Sequence, residues 1–277
     1  MMRAMARIRT VLAPIVALGA LLFVLTAARP AHAAPRYVDR SLTLPRLVFA
    51  GDAGIGVAHL RLGGRDFTGA GLNLEGALGI TDSVELGLRT GIRLGDDARA
   101  LGADAFGRTL FTETYGTGGD TVANPELRVR WAAYSGRVVE VGLDGRLYLP
   151  IENNTRTGLM FGVPLAFHIG NFMRIDTGLY LPVVFSDPTS TVISVPGYFW
   201  FQVSHAVWLG PMVGLRHVDP GGPARSRDDL MLGFGLGYQV ASAVDLKWML
   251  FAPRVNADRD EARVFGAGFG VQFRIGE

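Results

Sequence analysis

Hydrophobic and polar residues alternate with a period of two over most of the chain. In the segment 263–275, the odd positions from Phe265 to Ile275 are apolar, whereas the even positions from Gly266 to Arg274 are glycine or polar. The same split occurs in three further segments: 84–94, 139–151 and 230–240. Because a β-strand places successive side chains on opposite faces, this period predicts strands that each have one apolar face.

Twelve such segments follow one another, beginning near residues 48, 69, 84, 123, 137, 158, 172, 192, 206, 229, 244 and 262. Five short turns (81–83, 135–136, 170–171, 205–206 and 241–243) alternate with six longer polar loops (near 64–68, 95–121, 152–157, 186–190, 217–228 and 254–261). This alternation is typical of outer-membrane barrels, whose short turns face the periplasm. It predicts an all-β fold, a transmembrane up-and-down antiparallel β-barrel of about 12 strands with both termini periplasmic.

A soluble β-sandwich also alternates, but its strands are usually shorter and its apolar faces pack against each other. Longer strands with one apolar face suit lipid, where a closed barrel pairs every backbone N–H and C=O group. Prolines fall within four of the predicted strands: Pro164, Pro182, Pro196 and Pro211. A closed sheet has no edge at which a missing N–H is harmless, so we expect bulges or shortened pairing there.

Aromatic residues lie near both ends of the predicted strands, where a membrane barrel carries its interface belts. Those near the turn ends are Trp131, Phe172, Trp208, Trp248 and Phe273. Those near the loop ends are Phe161, Phe185, Phe251 and Phe265. Their placement supports the prediction that the apolar faces point outward into lipid.

The first 33 residues have the pattern of a cleaved secretory signal. Arg3, Arg7 and Arg9 precede an apolar block at 11–28, and Ala31-His32-Ala33 is a small-x-small cleavage site. An uncleaved anchor is the alternative, because the block approaches the length of a spanning helix. We therefore expect three parts: 1–33 as signal peptide, 34–46 as a periplasmic lead-in and 47–277 as the transmembrane β-barrel.

Removal of this signal changes the charge of the chain. The full sequence has a formal net charge of +2, and the removed part holds four arginines and no acidic residue, which leaves −2. Basic character therefore gives no support to nucleic-acid binding, and no nucleic-acid partner is expected. The chain has no cysteine, which excludes disulfides, cysteine-ligated metals and a cysteine nucleophile.

The chain closes on Gly270-Val271-Gln272-Phe273-Arg274-Ile275, a glycine followed by two spaced hydrophobic residues. Together with the strand pattern, this ending resembles the bacterial outer-membrane β-barrel proteins, the broad porin-like group, over essentially all of the mature sequence. The resemblance implies an outer-membrane location, contact with outer-membrane lipid and lipopolysaccharide, and the barrel-assembly machinery as a partner. Ile275 replaces the group's final aromatic residue, and Gly276-Glu277 follow it, a departure that bears on recognition by that machinery.

Charged residues on the less apolar face of strands two to seven are predicted to line the lumen. One interpretation is a selectivity surface for polar or ionic solutes. The alternative is an interior filled with salt-bridged side chains that conducts little, because roughly eight strands leave room only for side chains. The candidate lumen residues are Glu75, Glu85, Arg89, Arg93, Glu126, Arg128, Arg130, Glu140, Asp144, Arg146, Arg174 and Asp176, together with His168.

The last four strands place glycines on the lumen face instead. They either open space for a solute or for an inserted loop such as 96–120, or relieve crowding where a small barrel bends. We favour the second interpretation. These glycines are Gly210, Gly214, Gly233, Gly235, Gly237, Gly266, Gly268 and Gly270.

Enzymatic chemistry has little support, so no enzyme and no cofactor or metal is expected. His59 and His217 lie near predicted outer rims, but no serine is placed beside either as a nucleophile–base pair requires. The stretch 256–260 begins like a calcium loop but lacks its glycine and final glutamate. Charged loop residues such as Arg227 and Asp229 can engage lipopolysaccharide phosphates or divalent ions, and ordinary solubility explains them equally well.

Two functional hypotheses follow. The first is a narrow channel or passive transporter for small polar or ionic solutes. The second is a non-conducting structural or surface-interaction barrel that acts through its external loops. Both require the same alternation and the same polar interior, so the sequence alone does not separate them.

Overall fold

The computed structural model describes residues 35–62, 65–94, 121–151, 156–185, 187–223, 225–257 and 263–276. The first described element is a 3₁₀ turn at Tyr37–Asp39, and the rest of the regular structure is β. Within these ranges, no helix is long and apolar enough to cross a membrane. The predicted signal peptide 1–33 and the predicted loop 96–120 lie outside the described residues.

Twelve antiparallel strands close into a barrel in which sequence neighbours pair and the last strand pairs with the first. The strands are β1 (Phe49–Leu62), β2 (Arg65–Gly79), β3 (Val84–Leu94), β4 (Glu126–Ser135), β5 (Val139–Tyr148), β6 (Gly158–Ile169), β7 (Met173–Val184), β8 (Ser190–Gln202), β9 (Val207–Asp219), β10 (Arg227–Ala241), β11 (Val244–Ala252) and β12 (Arg263–Ile275). The predicted fold class, an up-and-down barrel of 12 strands, is confirmed.

The connections at one end of the barrel, here called the turn end, have only two to four residues. Phe49 pairs with Ile275, and the Leu47 N–H donates to the Gly79 carbonyl oxygen at 2.7 Å, so β1 begins and β12 finishes at the turn end. The opposite loop end carries the longer connections, except that only two residues separate β1 from β2. One prediction for it is wrong: the loop expected at 64–68 is shorter, because β2 already begins at Arg65.

The four prolines interrupt pairing on one side only and leave the strand register unchanged. Pro164 pairs with Gly178 of β7, whereas the described pairs of β5 with β6 skip from Val141↔Leu165 to Asp144↔Gly162. The other three prolines also keep one partner strand: Pro182, Pro196 and Pro211. Shortened pairing is confirmed, but the expected bulges lie elsewhere, near the turn end at 132–134 and 239–241.

The outer face of the barrel is apolar. Large side chains along its strands remain exposed, among them Leu88, Val129, Leu143, Phe161 and Leu215. On the same strands, most residues of the opposite parity point inward and are charged or small, whereas Met160 and Trp208 are large and apolar. Apolar area of this extent is unfavourable in water, at roughly 25 cal/mol per Å². It is favourable in a lipid belt, as in outer-membrane barrels.

Two aromatic residues predicted for the interface belts lie inside the barrel instead. Trp208 and Phe251 are only 2% and 1% exposed. Trp208 lies on the same, inner face of β9 as Gly210, so its side chain points into the lumen. The hydrophobic pattern did not indicate this, because both faces of β9 are apolar or small over residues 207–215. Six other belt residues are exposed: Trp131, Phe161, Phe172, Phe185, Trp248 and Phe265.

Candidate functional site in the barrel lumen

All twelve charged residues predicted for the lumen lie on the inner face of β2 to β7. The antiparallel register sets opposite charges side by side: Glu75 faces Arg89, Arg89 faces Glu126, and Arg130 faces Asp144. Most of these side chains are buried. Strand parity therefore predicted their location, whereas their use as a selectivity surface stays a prediction.

A chain of ion pairs runs across β3, β4 and β5. Arg89 Nη2 lies 2.5 Å from Glu126 Oε2, and Glu126 Oε1 also accepts from Arg146 Nη1 at 3.1 Å. Arg146 Nε donates to Asp144 at 3.1 Å, and Asp144 accepts from Arg130 Nη2 at 2.8 Å. The Asp144 side chain is 0% exposed and serves two arginines. These pairs tie three strands together and neutralise much of the charge on this wall.

Arg128 makes a second bridge beside the first. Its Nη1 donates to Glu75 at 3.0 Å and its Nη2 to Glu85 at 2.6 Å. Glu75 lies on β2 and Arg128 on β4, so the guanidinium reaches across β3. Gly87 of β3 allows this, because a Cβ there would lie 3.1 Å from Arg128 Nε.

The stretch 35–46, here called the N-terminal segment, runs across the turn end of the lumen. Leu44 N–H donates to Glu85 at 3.0 Å and Leu42 N–H to Glu140 at 2.9 Å. Farther along the wall, Arg40 reaches Asp245 of β11. The sequence predicts 34–46 as a periplasmic lead-in, which stays a prediction; the structure adds that lumen carboxylates accept hydrogen bonds from the backbone of this segment.

Two side chains anchor the N-terminal segment on the far wall. The Tyr37 ring stacks on Trp208 with centroids 4.6 Å apart and planes at 7°, and it meets the Trp200 ring edge-on at 5.5 Å. Arg40 Nη1 and Nη2 donate to the two oxygens of Asp245 at 2.5 and 3.1 Å. No helical or strand period runs through 35–46, so no pattern in the sequence indicated these contacts.

A cavity of ≈ 440 Å³ remains between the N-terminal segment and the wall. Charged side chains of the ion-pair networks, such as Arg89 and Arg146, line one part, and aromatic side chains such as Tyr198 and Trp200 line another. Its volume is in the range of small-molecule sites. The arrangement provides both hydrogen-bonding and apolar contacts for a small solute.

Several lumen glycines make room for aromatic rings. A Cβ on Gly237 would lie 2.0 Å from the Trp208 ring, and one on Gly235 would lie 2.5 Å from the Trp200 ring. A Cβ on Gly266 would lie 2.3 Å from the Phe251 ring. The glycines thus relieve crowding, as favoured from the sequence, but the crowding comes from neighbouring side chains rather than from strand curvature alone. At these positions they open no space for a solute or a loop.

The substitution Gly237→Ala should therefore destabilise the barrel by about 1–3 kcal/mol, because the added methyl group displaces the Trp208 ring. The matched control is Gly145→Ala, where a Cβ would meet no atom within 4 Å. Urea unfolding in detergent, followed by tryptophan fluorescence, measures both. Equal stability of the two variants would contradict the interpretation that the Trp208 ring packs directly against Gly237.

The two histidines considered for catalysis make contacts at exposed positions. His59 Nδ1 lies 2.9 Å from Thr68 Oγ1, and its Nε2 lies 3.6 Å from Asp66 Oδ1. His217 Nδ1 lies 2.7 Å from Asp228 Oδ1. In the described part of the chain, no group of three or more His, Asp or Glu side chains is placed to hold a metal ion.

Asp229, which the sequence predicts as a charged residue of an external loop, is instead part of a strand. It lies on β10 with its side chain 0% exposed, and accepts from Arg216 Nη2 at 2.7 Å. Arg254 Nε lies 2.9 Å away and Arg227 Nε 3.3 Å away. Because β10 begins at Arg227, strand parity turns Asp229 into the lumen. The Asp229 carboxylate thus interacts with three guanidinium groups near the loop end.

No family model matches the sequence, and no curated protein matches it. Solved structures do. The NanC porin superposes with a TM-score of 0.58 at 9% identity, over 80% of this chain and 100% of that porin. The COG4313 outer membrane channel from Pseudomonas putida F1 has a TM-score of 0.58 at 12% identity, covering 90% and 100% respectively. The chain has the fold of an outer-membrane porin. At these identities the likeness concerns the fold alone.

Proposed function

We propose that the protein is a narrow channel or passive transporter for small polar or ionic solutes in the bacterial outer membrane. The observation that carries this proposal is a closed barrel with an apolar outer face and a charged lumen that keeps a cavity of ≈ 440 Å³. Charged and polar groups on a lumen wall replace part of the hydration shell of a passing solute. In this role the protein is not an enzyme and requires no cofactor.

In this proposal the turn end faces the periplasm, as in other outer-membrane barrels, and both termini are periplasmic. The signal peptide 1–33 directs export and is removed. The outer surface contacts outer-membrane lipid and lipopolysaccharide, and the barrel-assembly machinery inserts the chain. The N-terminal segment then lies at the periplasmic mouth, where it narrows the path of the solute.

A non-conducting structural or surface-interaction barrel is the second candidate. It is favoured by how much of the described lumen is filled: ion pairs cover one wall, and a cluster of Trp200, Trp208, Met212, Met231 and Phe251 covers another. In that case the external loops do the work. The two candidates differ in a single observable, the ion current through the folded protein.

Reversing two charges tests the channel proposal and the predicted selectivity surface together. Arg89→Glu combined with Arg128→Glu should increase the selectivity for cations, measured as the reversal potential in a salt gradient. The reason is that replacing two positive charges with two negative ones makes the lumen more attractive to cations. The control is Arg61→Glu, whose side chain is 63% exposed. Heat-modifiable mobility on gels verifies that each variant is folded. Unchanged ion preference in a conducting double variant would mean that these residues do not line the path.

A further inference from the structure

We propose that the turn end of the lumen is a binding site for oligopeptides, which the N-terminal segment occupies as a built-in ligand. The preferred peptide has an aromatic residue three positions before an arginine, as Tyr37 and Arg40 are placed. Oligopeptides as transported solutes would rest on the channel function proposed above. Binding itself is a property of the site and is measurable without conduction.

The first support is that lumen side chains recognise the peptide backbone of the segment. Leu42 N–H donates to Glu140, and Arg130 Nη1 donates to the Leu42 carbonyl oxygen at 3.4 Å, so one residue is held through both of its backbone groups. His168 Nδ1 lies 2.7 Å from the Val38 carbonyl oxygen. Contacts of this kind are open to any peptide with the same backbone conformation and provide affinity that does not depend on its side chains.

Further contacts extend this recognition along the segment. Val38 N–H donates to Gln202 Oε1 at 3.4 Å, and Arg174 donates to the Arg40 carbonyl oxygen. Leu44 N–H donates to Glu85. The donors and acceptors come from β3, β7 and β8, so one peptide that crosses the lumen satisfies them together. A compact solute offers no such row of amide groups.

The second support is a pair of side-chain pockets with different chemistry. The Tyr37 ring stacks face to face on Trp208 and meets Trp200 edge-on. This arrangement suits any aromatic residue. Asp245 is 1% exposed and binds the Arg40 guanidinium through both oxygens, a bidentate geometry that favours arginine over lysine.

The two pockets share their walls, which couples their preferences. The Arg40 Cζ lies 5.3 Å from the Tyr37 ring centroid and 5.5 Å from the Trp208 ring centroid. Cation–π attraction of this kind favours the two side chains together in a partly desolvated site. An aromatic residue and an arginine on one peptide thus stabilise each other's binding, which fixes the spacing between them.

The tethered segment competes with any free peptide. A ligand linked to its site by a short chain acts at an effective concentration of roughly millimolar order, so the wild-type site is largely occupied. The double substitution Tyr37→Ala with Arg40→Ala removes both anchors and keeps the chain length. It should free the two pockets for a peptide added in solution.

The probe is the labelled tetrapeptide acetyl-Phe-Ala-Ala-Arg-amide, titrated against the full-length protein in detergent and followed by fluorescence anisotropy. We expect binding to the double variant to be at least about tenfold tighter than to the wild type. Peptides with alanine for phenylalanine, or with glutamate for arginine, should bind at least about tenfold more weakly, a loss of roughly 1.4 kcal/mol each. The control protein Arg36→Ala, altered outside both pockets, should behave as the wild type.

Equal binding of all three peptides to the double variant, or no binding of any, would overturn the proposal. Asp245→Asn added to the double variant should abolish the arginine preference while the phenylalanine preference remains, provided that gel mobility shows a folded barrel. If that variant does not fold, the comparison of the three peptides on the double variant decides alone. Peptide binding by a protein that carries no current would leave this site standing and remove the channel function.

Discussion

Deleting residues 35–45, with the targeting sequence joined directly to Arg46, should raise the single-channel conductance by about three- to tenfold. The N-terminal segment crosses the lumen from Glu85 on β3 to Asp245 on β11 and occupies the turn end of a barrel with only twelve strands. In so narrow a pore, a single chain segment that crosses the lumen takes up a large share of the free cross-section. Its removal should widen the path more than any point substitution.

The barrel itself should survive this deletion. Arg46 and Leu47 remain, and they hold the start of β1 through hydrogen bonds to Asp82 and Gly79. Asp245 keeps its ion pair with Arg274 at 3.1 Å, so its buried carboxylate still has a positively charged partner.

The matched control for the deletion is Arg36→Ala. Arg36 lies on the N-terminal segment with its side chain 30% exposed and does not line the cavity. This substitution should leave the conductance unchanged. Planar-bilayer recordings at one salt concentration compare the three proteins. A deletion variant with wild-type conductance and a folded barrel would contradict the placement of the segment in the conducting path.

The substitution Asp144→Asn should lower the free energy of unfolding by about 3–5 kcal/mol, the cost of breaking a buried pair and leaving its partners uncompensated. Asp144 is fully buried and accepts from both Arg130 and Arg146. An amide keeps the size of the side chain but removes the charge that balances two guanidinium groups. Urea unfolding in lipid vesicles measures the change.

Asp66→Asn is the matched control for Asp144→Asn. Asp66 also pairs with an arginine, Arg61, at 2.8 Å, but the two side chains are 50% and 63% exposed. Exposed pairs contribute at most about 1 kcal/mol, so this substitution should be nearly neutral. Comparable losses in the two variants would show that burial in the lumen does not determine the strength of the pairs.

The strands were predictable from the sequence because a period of two records which face meets lipid. In β5, for example, Val141 and Leu143 alternate with Asp144 and Arg146, and the structure orients them as the pattern predicts. The alternation does not indicate which face points into the lumen where both faces of a strand are apolar or small. For that reason the pattern predicts Trp208 as an interface residue, although it lies 2% exposed in the lumen.

The partners in the lumen were less predictable, because they depend on register and on distant contacts. Arg128 reaches Glu75 across an intervening strand, which no pattern along one strand records. Arg40 pairs with Asp245 over a separation of 205 residues. The N-terminal segment shows no period of hydrophobic residues. Its backbone is held by lumen side chains and not by strand pairing, so no such period is required. These interactions appear only once the barrel is closed.

Single-channel current through the wild-type protein in a planar bilayer is the most direct test of the central claim, that the lumen is an open but narrowed path. The protein should give small, discrete conductance steps, well below those of the chain lacking residues 35–45. Folded, heat-modifiable protein that carries no current above background would contradict the claim and leave a non-conducting barrel.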